Sequence, residues 1–243
     1  MTLAPVLDAL RRHETVAIRF GLAQGDPVLS ADDLQGVGVV DLHRKRTRVV
    51  YLGLPQRTQR DFKNNRGGWN PISRLGMKVL RRIVLRGLGT PSEILWEGEA
   101  SDHRNSPDEE WRASATPGPD RAVRSHNDPG WLLDLLSATL SATKEERQSD
   151  GLLLHATLPL SEIADLLPPQ TLKNRRNEGS RDLTVRIQCR HDYMPVSVAI
   201  RWDGDAPAGE THWQIVQCDD FDVDLDTTDL WSRWESLAHS PIS

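Results

Sequence analysis

The sequence predicts a mainly β protein of the α+β kind: one large, curved antiparallel sheet, an unclosed half-barrel, covered by a few amphipathic helices. Three observations carry this reading. Residues 183–190, 195–202 and 211–223 alternate apolar and polar side chains with a period of two, as half-buried strands do. About nine segments in all read as strands, and they follow one another without the intervening helices that parallel pairs require. A sheet of that many strands curls or closes, and its dry face needs a cover.

In chain order, Val6, Leu7 and Leu10 share one face of a short helix over 4–12. Val16, Ile18 and Phe20 then alternate with Ala17 and Arg19, and Gly21 to Asp33 is polar and turn-rich. Residues 34–42 and 46–54 form a hairpin around His43-Arg44-Lys45, with Val49 and Tyr51 on one face and Val50, Leu52 and Leu54 on the other. Residues 92–99 (Ile94, Trp96) and 109–115 (Trp111, Ala113) are two further strands, joined by the polar link Ser101–Asp108. Asp128-Pro129-Gly130 opens a helix of about a dozen residues, 129–141, with Asp128 as N-cap and Pro129 at the first helical position. Trp131, Leu132, Leu135, Leu136 and Leu140 are its apolar stripe, which makes it the expected cover of the sheet.

Residues 151–158 are a strand, and Ser161 caps a short helix with Ile163, Leu166 and Leu167 that ends at Pro168-Pro169. Leu183, Val185, Ile187 and Cys189, then Val196, Val198, Ile200 and Trp202, then Trp213, Ile215, Phe221, Val223 and Leu225 mark the closing meander. Residues 229–238 form a terminal helix. The whole of 1–243 is expected to be a single domain, with 57–90 as a basic insertion or lid within it.

Length and charge bound the function. At 243 residues the chain buries a sizeable core without disulfide or metal staples, and a net charge of −5 argues against general nucleic-acid binding. Arg outnumbers Lys 25 to 5, which points to a GC-rich bacterial genome. Residues 1–12 lack the basic n-region and long apolar run of a signal peptide, and no stretch approaches 18 apolar residues. The expected location is therefore cytoplasmic, or exported if a leader precedes this chain. Cys189 and Cys218 fall on strands with another strand between them, too far apart for a disulfide, and read as free buried thiols.

No catalytic signature stands out. The histidines form no H-E-x-x-H or i, i+4 pair, G-x-S-x-G is absent, and Gly36-Val37-Gly38 and Gly67-Gly68 lack the rest of a nucleotide-binding motif. Glu109 and Glu110 are adjacent, so in a strand they face opposite ways. The aspartates at 219, 220, 222, 224, 226 and 229 fail the EF-hand pattern and read as the wet face of a strand. No metal, cofactor or catalytic residue is expected.

The unusual stretch is 57–86, with nine basic residues against one acid, Asp61. Arg74, Lys78, Arg81 and Arg82 share one helical face, with Leu75, Val79 and Ile83 on the other. This reads as a surface helix, or as a contact for a lipid head group, an anionic membrane surface or a protein partner. Phe62 and Trp69 are thin support for nucleic acid.

The order of elements resembles a family. Its carriers are the D-P-x-x-L-L helix start at Asp128–Leu133, the Gly-started strand from Gly151 to Leu158 and the short helix Leu160 to Leu167. The Pro-Val-x-Val-x-Ile strand from Pro195 to Ile200 and the D-F-D strand at Asp220–Asp222 complete the set. Over about residues 14–225 these resemble the bacterial lipoprotein carriers, the LolA, LppX and LprG-like half-barrels, the latter two actinobacterial. The resemblance implies a non-enzymatic binder whose cavity, between sheet and helices, takes a lipid or other hydrophobic ligand. Members are exported, often through a lipobox cysteine, and this chain shows neither a signal peptide nor an N-terminal Cys. On the expected concave face, Val16, Ile18, Phe20, Trp96, Val196 and Val198 would line the ligand, with Trp131 and Leu135 facing them from the covering helix. The alternative is an interaction or regulatory module of the same fold, filled by its own side chains.

Overall fold

A computed structural model describes residues 4–52, 91–98, 100–113, 128–137, 144–177, 182–202 and 212–238. The expected lid at 57–90, the end of the helix over 129–141 and Leu54 lie outside them.

Eleven strands form one antiparallel, unclosed sheet. They are β1 (Thr15–Gln24), β2 (Leu34–Asp41), β3 (Arg46–Tyr51), β4 (Ser92–Glu97), β5 (Ala100–Arg104), β6 (Arg112–Ala113), β7 (Lys144–Gln148), β8 (Gly151–Pro159), β9 (Asp182–Cys189), β10 (Pro195–Trp202) and β11 (His212–Phe221). Their spatial order, β6-β5-β4-β3-β2-β1-β11-β10-β9-β8-β7, is two sequential meanders joined where β1 meets β11. The centre of the sheet thus pairs strands about as far apart in sequence as the chain permits, with Ile18 opposite Cys218 and Phe20 opposite Val216. Such non-local pairing is slow to form, because loop closure comes before the contacts that reward it.

The helices are α1 (Ala4–Leu10), α2 (Trp131–Asp134) running into a 3-10 turn at Leu135–Ser137, and α3 (Leu160–Ile163) running into another at Ala164–Leu166. α4 (Pro169–Asn177) and α5 (Leu230–Ala238) follow. α1, α2 and α3 contribute Val6, Leu10, Trp131, Leu132, Leu135, Leu136, Leu160 and Ile163 to the main core over one face of the sheet, its inner face. α5 covers part of the outer face, where Leu230 and Trp234 pack with Val37, Val39, Val50 and Leu52. Alternation explains both layers: Val49 belongs to the inner cluster and its neighbour Val50 to the outer.

Several elements differ from the sequence reading. Ser101–Arg104, read as a link, is most of β5. Gly98 at φ 65° makes the tight turn from β4, a conformation open chiefly to glycine, and β5 pairs back along β4 although it lacks an apolar face. Of the strand read at 109–115, the described residues 109–113 hold only the two exposed residues of β6. β1 runs on to Gln24, into the segment read as turn-rich. Within the described residues the predicted helix shows one α-helical turn and a 3-10 turn, and Leu133 is buried along with the predicted stripe, so this part has no wet face. α3 starts at Leu160 behind Pro159, ahead of the predicted cap Ser161. The charged edge strand β7 and the polar helix α4 carry no apolar period and were not anticipated.

The aspartate run also departs from an extended strand. β11 ends at Phe221 and Asp222 turns into the left-handed region at φ 57°. His13 Nδ1 lies 2.7 Å from Asp222 Oδ2 and the Glu14 N–H donates to Oδ1 at 3.0 Å, bonds that hold the Asp222 carboxyl below its ordinary range. Asp224 Oδ1 accepts from the N–H groups of Asp226 and Thr227, and Asp229 Oδ1 accepts from that of Ser232 in the first turn of α5. The carboxylates beyond Phe221 thus form a turn and a helix cap.

Cys189 and Cys218 are free and buried, on β9 and β11 with β10 between them. Burial pushes both thiols up to about 12, helped by Asp192 and Asp219 respectively. Both thiols should react with Ellman's reagent in denaturant, and neither should react at a measurable rate in the native protein at pH 8. An unfolded thiol titrates near 8.5, so the folded state retains protons that the unfolded state releases above that pH. This contribution is complete below about pH 8.5 and is lost as pH rises toward 12, so the thermal midpoint should fall through the alkaline range. Rapid native reactivity would show that one of the strands is open to solvent.

Candidate functional site

The candidate site is the inner face of the sheet beneath α2. Its floor is built by alternation: Val16, Ile18 and Phe20 on β1, Val49 on β3, Trp96 on β4, Leu183, Val185 and Ile187 on β9, and Val198, Ile200 and Trp202 on β10. All are at most 6 % exposed. Gly36 and Gly38 of β2 shape this floor, Gly38 leaving room for the Val49 side chain. A Cβ on Gly36 would lie 2.5 Å from Phe20 Cζ, so the Phe20 ring occupies the space of the missing side chain and stacks on Tyr51 at 6.0 Å. Tyr51 is half-buried, and desolvation raises its phenol above the ordinary value.

The roof is tethered at two points by polar groups. Asp128 is wholly buried; its Oδ1 accepts from the Gly130 N–H (2.8 Å) and its Oδ2 from Thr47 Oγ1 of β3 (3.1 Å). Lys45, at φ 53° in the β2–β3 turn, reaches Asp134 at 2.5 Å. Asp128 therefore does more than open the helix: it ties the roof to the floor. Sequence reasoning found Asp128 through its D-P-G context but missed Lys45, Thr47 and Asp134, for which no local pattern exists.

Of the eight apolar residues expected to line a ligand, the fold brings Val16, Ile18, Phe20, Trp96, Trp131, Leu135 and Val198 into this one cluster. Val196 is half-buried and is not among the cluster's residues. The register of β10 against β9 shifts between Pro195 and Ser197, which breaks the strict alternation at that position. Arg74, Lys78, Arg81 and Arg82 lie outside the described residues. Among the described residues, no group of three His, Cys, Asp or Glu side chains is placed to hold a metal ion, and no helix is long and apolar enough to cross a membrane.

No protein-family model and no curated protein matches the sequence. Among solved structures the chain is similar to the lipoprotein LppX of Mycobacterium tuberculosis, at 11% identity and a TM-score of 0.42, covering 92% of this chain and 97% of that one. It is also similar to a LolA-superfamily protein of Nitrosomonas europaea, at 10% identity and a TM-score of 0.35, covering 94% and 96%.

Proposed function

We propose that the protein is a non-enzymatic binder of a lipid or other hydrophobic ligand, received between the inner face of the sheet and its helical roof. The observation that supports it most is the roof itself. A floor that runs from β4 across β1 to β9 is covered at α2, which sets Trp131, Leu132, Leu135 and Leu136 against it and is tethered through Lys45–Asp134 and Thr47–Asp128. Trp131 is the reporter, because it belongs to the roof and is 4 % exposed. Arg74, Lys78, Arg81 and Arg82 would add attraction for an anionic head group or membrane surface. The reducing cytoplasm is the proposed location, where two unpaired thiols persist.

Titration of the full chain with a fluorescent fatty acid and with a short-chain phospholipid tests this. Saturable binding with a Kd on the order of micromolar is expected, with a shift in tryptophan emission that is lost in Trp131→Phe. Arg81→Glu with Arg82→Glu should weaken binding at low salt and less so at high salt. No saturable binding of either class overturns the proposal and leaves the second reading, a protein-interaction module with a filled core. One observation favours that reading: the side chains of the inner face already bury one another, and Phe20 fills the space above Gly36.

A further inference from the structure

The outer face of β8–β11 carries a second constellation, independent of the roofed site. Arg186 on β9 is opposite Ala199, and Arg201 on β10 is opposite Thr184, so the two arginines are diagonal neighbours on one face. Trp213 precedes Gln214, the partner of Ile200 on the antiparallel strand, and so sits beside Arg201. Both guanidiniums stand over the Trp213 ring, each 5.0 Å from its centroid. The ring is itself fixed: it is 2 % exposed, and its Nε1–H donates to the Gly25 carbonyl at 2.9 Å.

Stacking occupies the flat face of a guanidinium and leaves the N–H groups at its edge free to donate. Most of the described arginines spend those donors on carboxylates: Arg19 and Arg233 on Asp219, Arg48 and Arg104 on Glu93, Arg46 on Glu97 and Asp226. Among the described residues, neither Arg186 nor Arg201 has a carboxylate within 4.0 Å, although both are only half-buried. Asp182 shares their face beyond Thr184 and makes no ion pair within 4.0 Å with either. Arg186 Nε is buried with no hydrogen-bond partner, a charged donor that a native fold seldom leaves so. The surroundings add hydroxyls and one paired cation, Lys144, whose partner Glu146 also feels the Arg186 charge. His155 is opposite Arg186, Lys144 is opposite His155 and bonds to Glu146, and Thr157 is opposite Thr184. Burial and then the Arg186 charge lower the His155 pKa, which disfavours a further cation beside the arginines.

We propose that Arg186 and Arg201, braced on Trp213 and joined by the Thr184 hydroxyl, form a binding site for a phosphate group on the outer face of the sheet. Two forks and a hydroxyl offer more donors than the two oxygens of a carboxylate use, and they suit a tetrahedral oxyanion. The phosphate can be free, as on a soluble phosphomonoester, or displayed as a lipid head group.

Titration of the full chain with inorganic phosphate at fixed ionic strength, followed by the indole and arginine side-chain resonances in 15N-correlated spectra, tests the site. Saturable shifts of the Trp213 indole and of the Arg186 and Arg201 Nε–H signals are expected. Arg186→Gln and Arg201→Gln should each weaken binding by roughly tenfold or more, about 1.4 kcal/mol. Arg186→Lys and Arg201→Lys keep the charge and lose the fork, so they should also bind more weakly at an unchanged urea midpoint. A parallel sedimentation assay compares phosphatidylglycerol with phosphatidylcholine vesicles. Arginine-dependent binding to phosphatidylglycerol without a response to free phosphate assigns the site to a lipid head group, and the converse assigns it to a soluble phosphate. No saturable response in either arm, or equal affinity in the Gln and Lys variants, overturns the proposal.

Discussion

Replacing Glu93 by Leu should lower the unfolding free energy by roughly 3–5 kcal/mol, the loss expected when one member of a buried ion network is removed. Glu93 is fully buried on β4 and faces the outer cluster. Its Oε1 accepts from Arg48 Nε at 2.5 Å, and its Oε2 accepts from Arg104 Nε at 2.6 Å and from Trp231 Nε1 at 2.8 Å. Arg48 donates further to the carbonyls of Leu225 and Asp226, at 3.0 and 2.7 Å. One carboxylate thus fastens β3, β4, β5 and α5 together. Leucine fills the volume but strands two arginine side chains that are only 10% and 16% exposed. Gln keeps an acceptor oxygen and loses the charge, so Glu93→Gln should fall between Leu and the parent in urea denaturation. Adding Arg48→Met to Glu93→Leu should restore part of the loss, because one uncompensated charge leaves with it. A loss under about 1 kcal/mol for Glu93→Leu would put this network among exposed pairs.

That network also shows what the sequence could and could not disclose. Alternation places Arg48 and Glu93 on the face opposite Val49 and Ile94, where charged side chains ordinarily meet water. Nothing local says that α5 closes over them, because that contact spans more than 130 residues. The strands with apolar faces, β1, β2, β3, β9, β10 and most of β11, were legible from their period, as was the turn at His43-Arg44-Lys45. β5 and β7 were not, since Ala-Ser-Asp-His-Arg and Lys-Glu-Glu-Arg-Gln owe their place to backbone pairing at the margins of the sheet, where charge also deters edge-to-edge association. The inner face was legible as a set of apolar residues, with Val196 set aside by a register shift that no composition reveals. The outer arginine pair was half legible. Alternation turns Arg186 and Arg201 outward, while their meeting over Trp213 depends on the registers of two strand pairs.

Ile200→Asp should cost roughly 4 kcal/mol or more and push much of the protein into the insoluble fraction on expression, because it places an unpaired charge in the inner core. Ile200 is 0 % exposed on β10, with Val185 of β9 and Gln214 of β11 as its cross-strand neighbours. The strand has a partner on each side, so it cannot turn the new carboxylate to water without reversing every side chain along it. Two controls separate burial from mere substitution. Ile200→Val removes one methylene group and should cost about 0.5–1.5 kcal/mol. Val196→Asp, on the same strand but half-buried, should cost much less than Ile200→Asp. The measurement is the urea midpoint of each variant, with the denaturant slope checked for constancy. A small loss at Ile200, close to that of Val196→Asp, would mean that water reaches the floor of the inner face in the unliganded protein. The expected large loss means that the floor is dry and self-packed, so that, under the proposed binding function, a hydrophobic ligand would enter only as the roof at α2 lifts away from it. In that case variants that cut the Lys45–Asp134 and Thr47–Asp128 tethers should speed ligand entry.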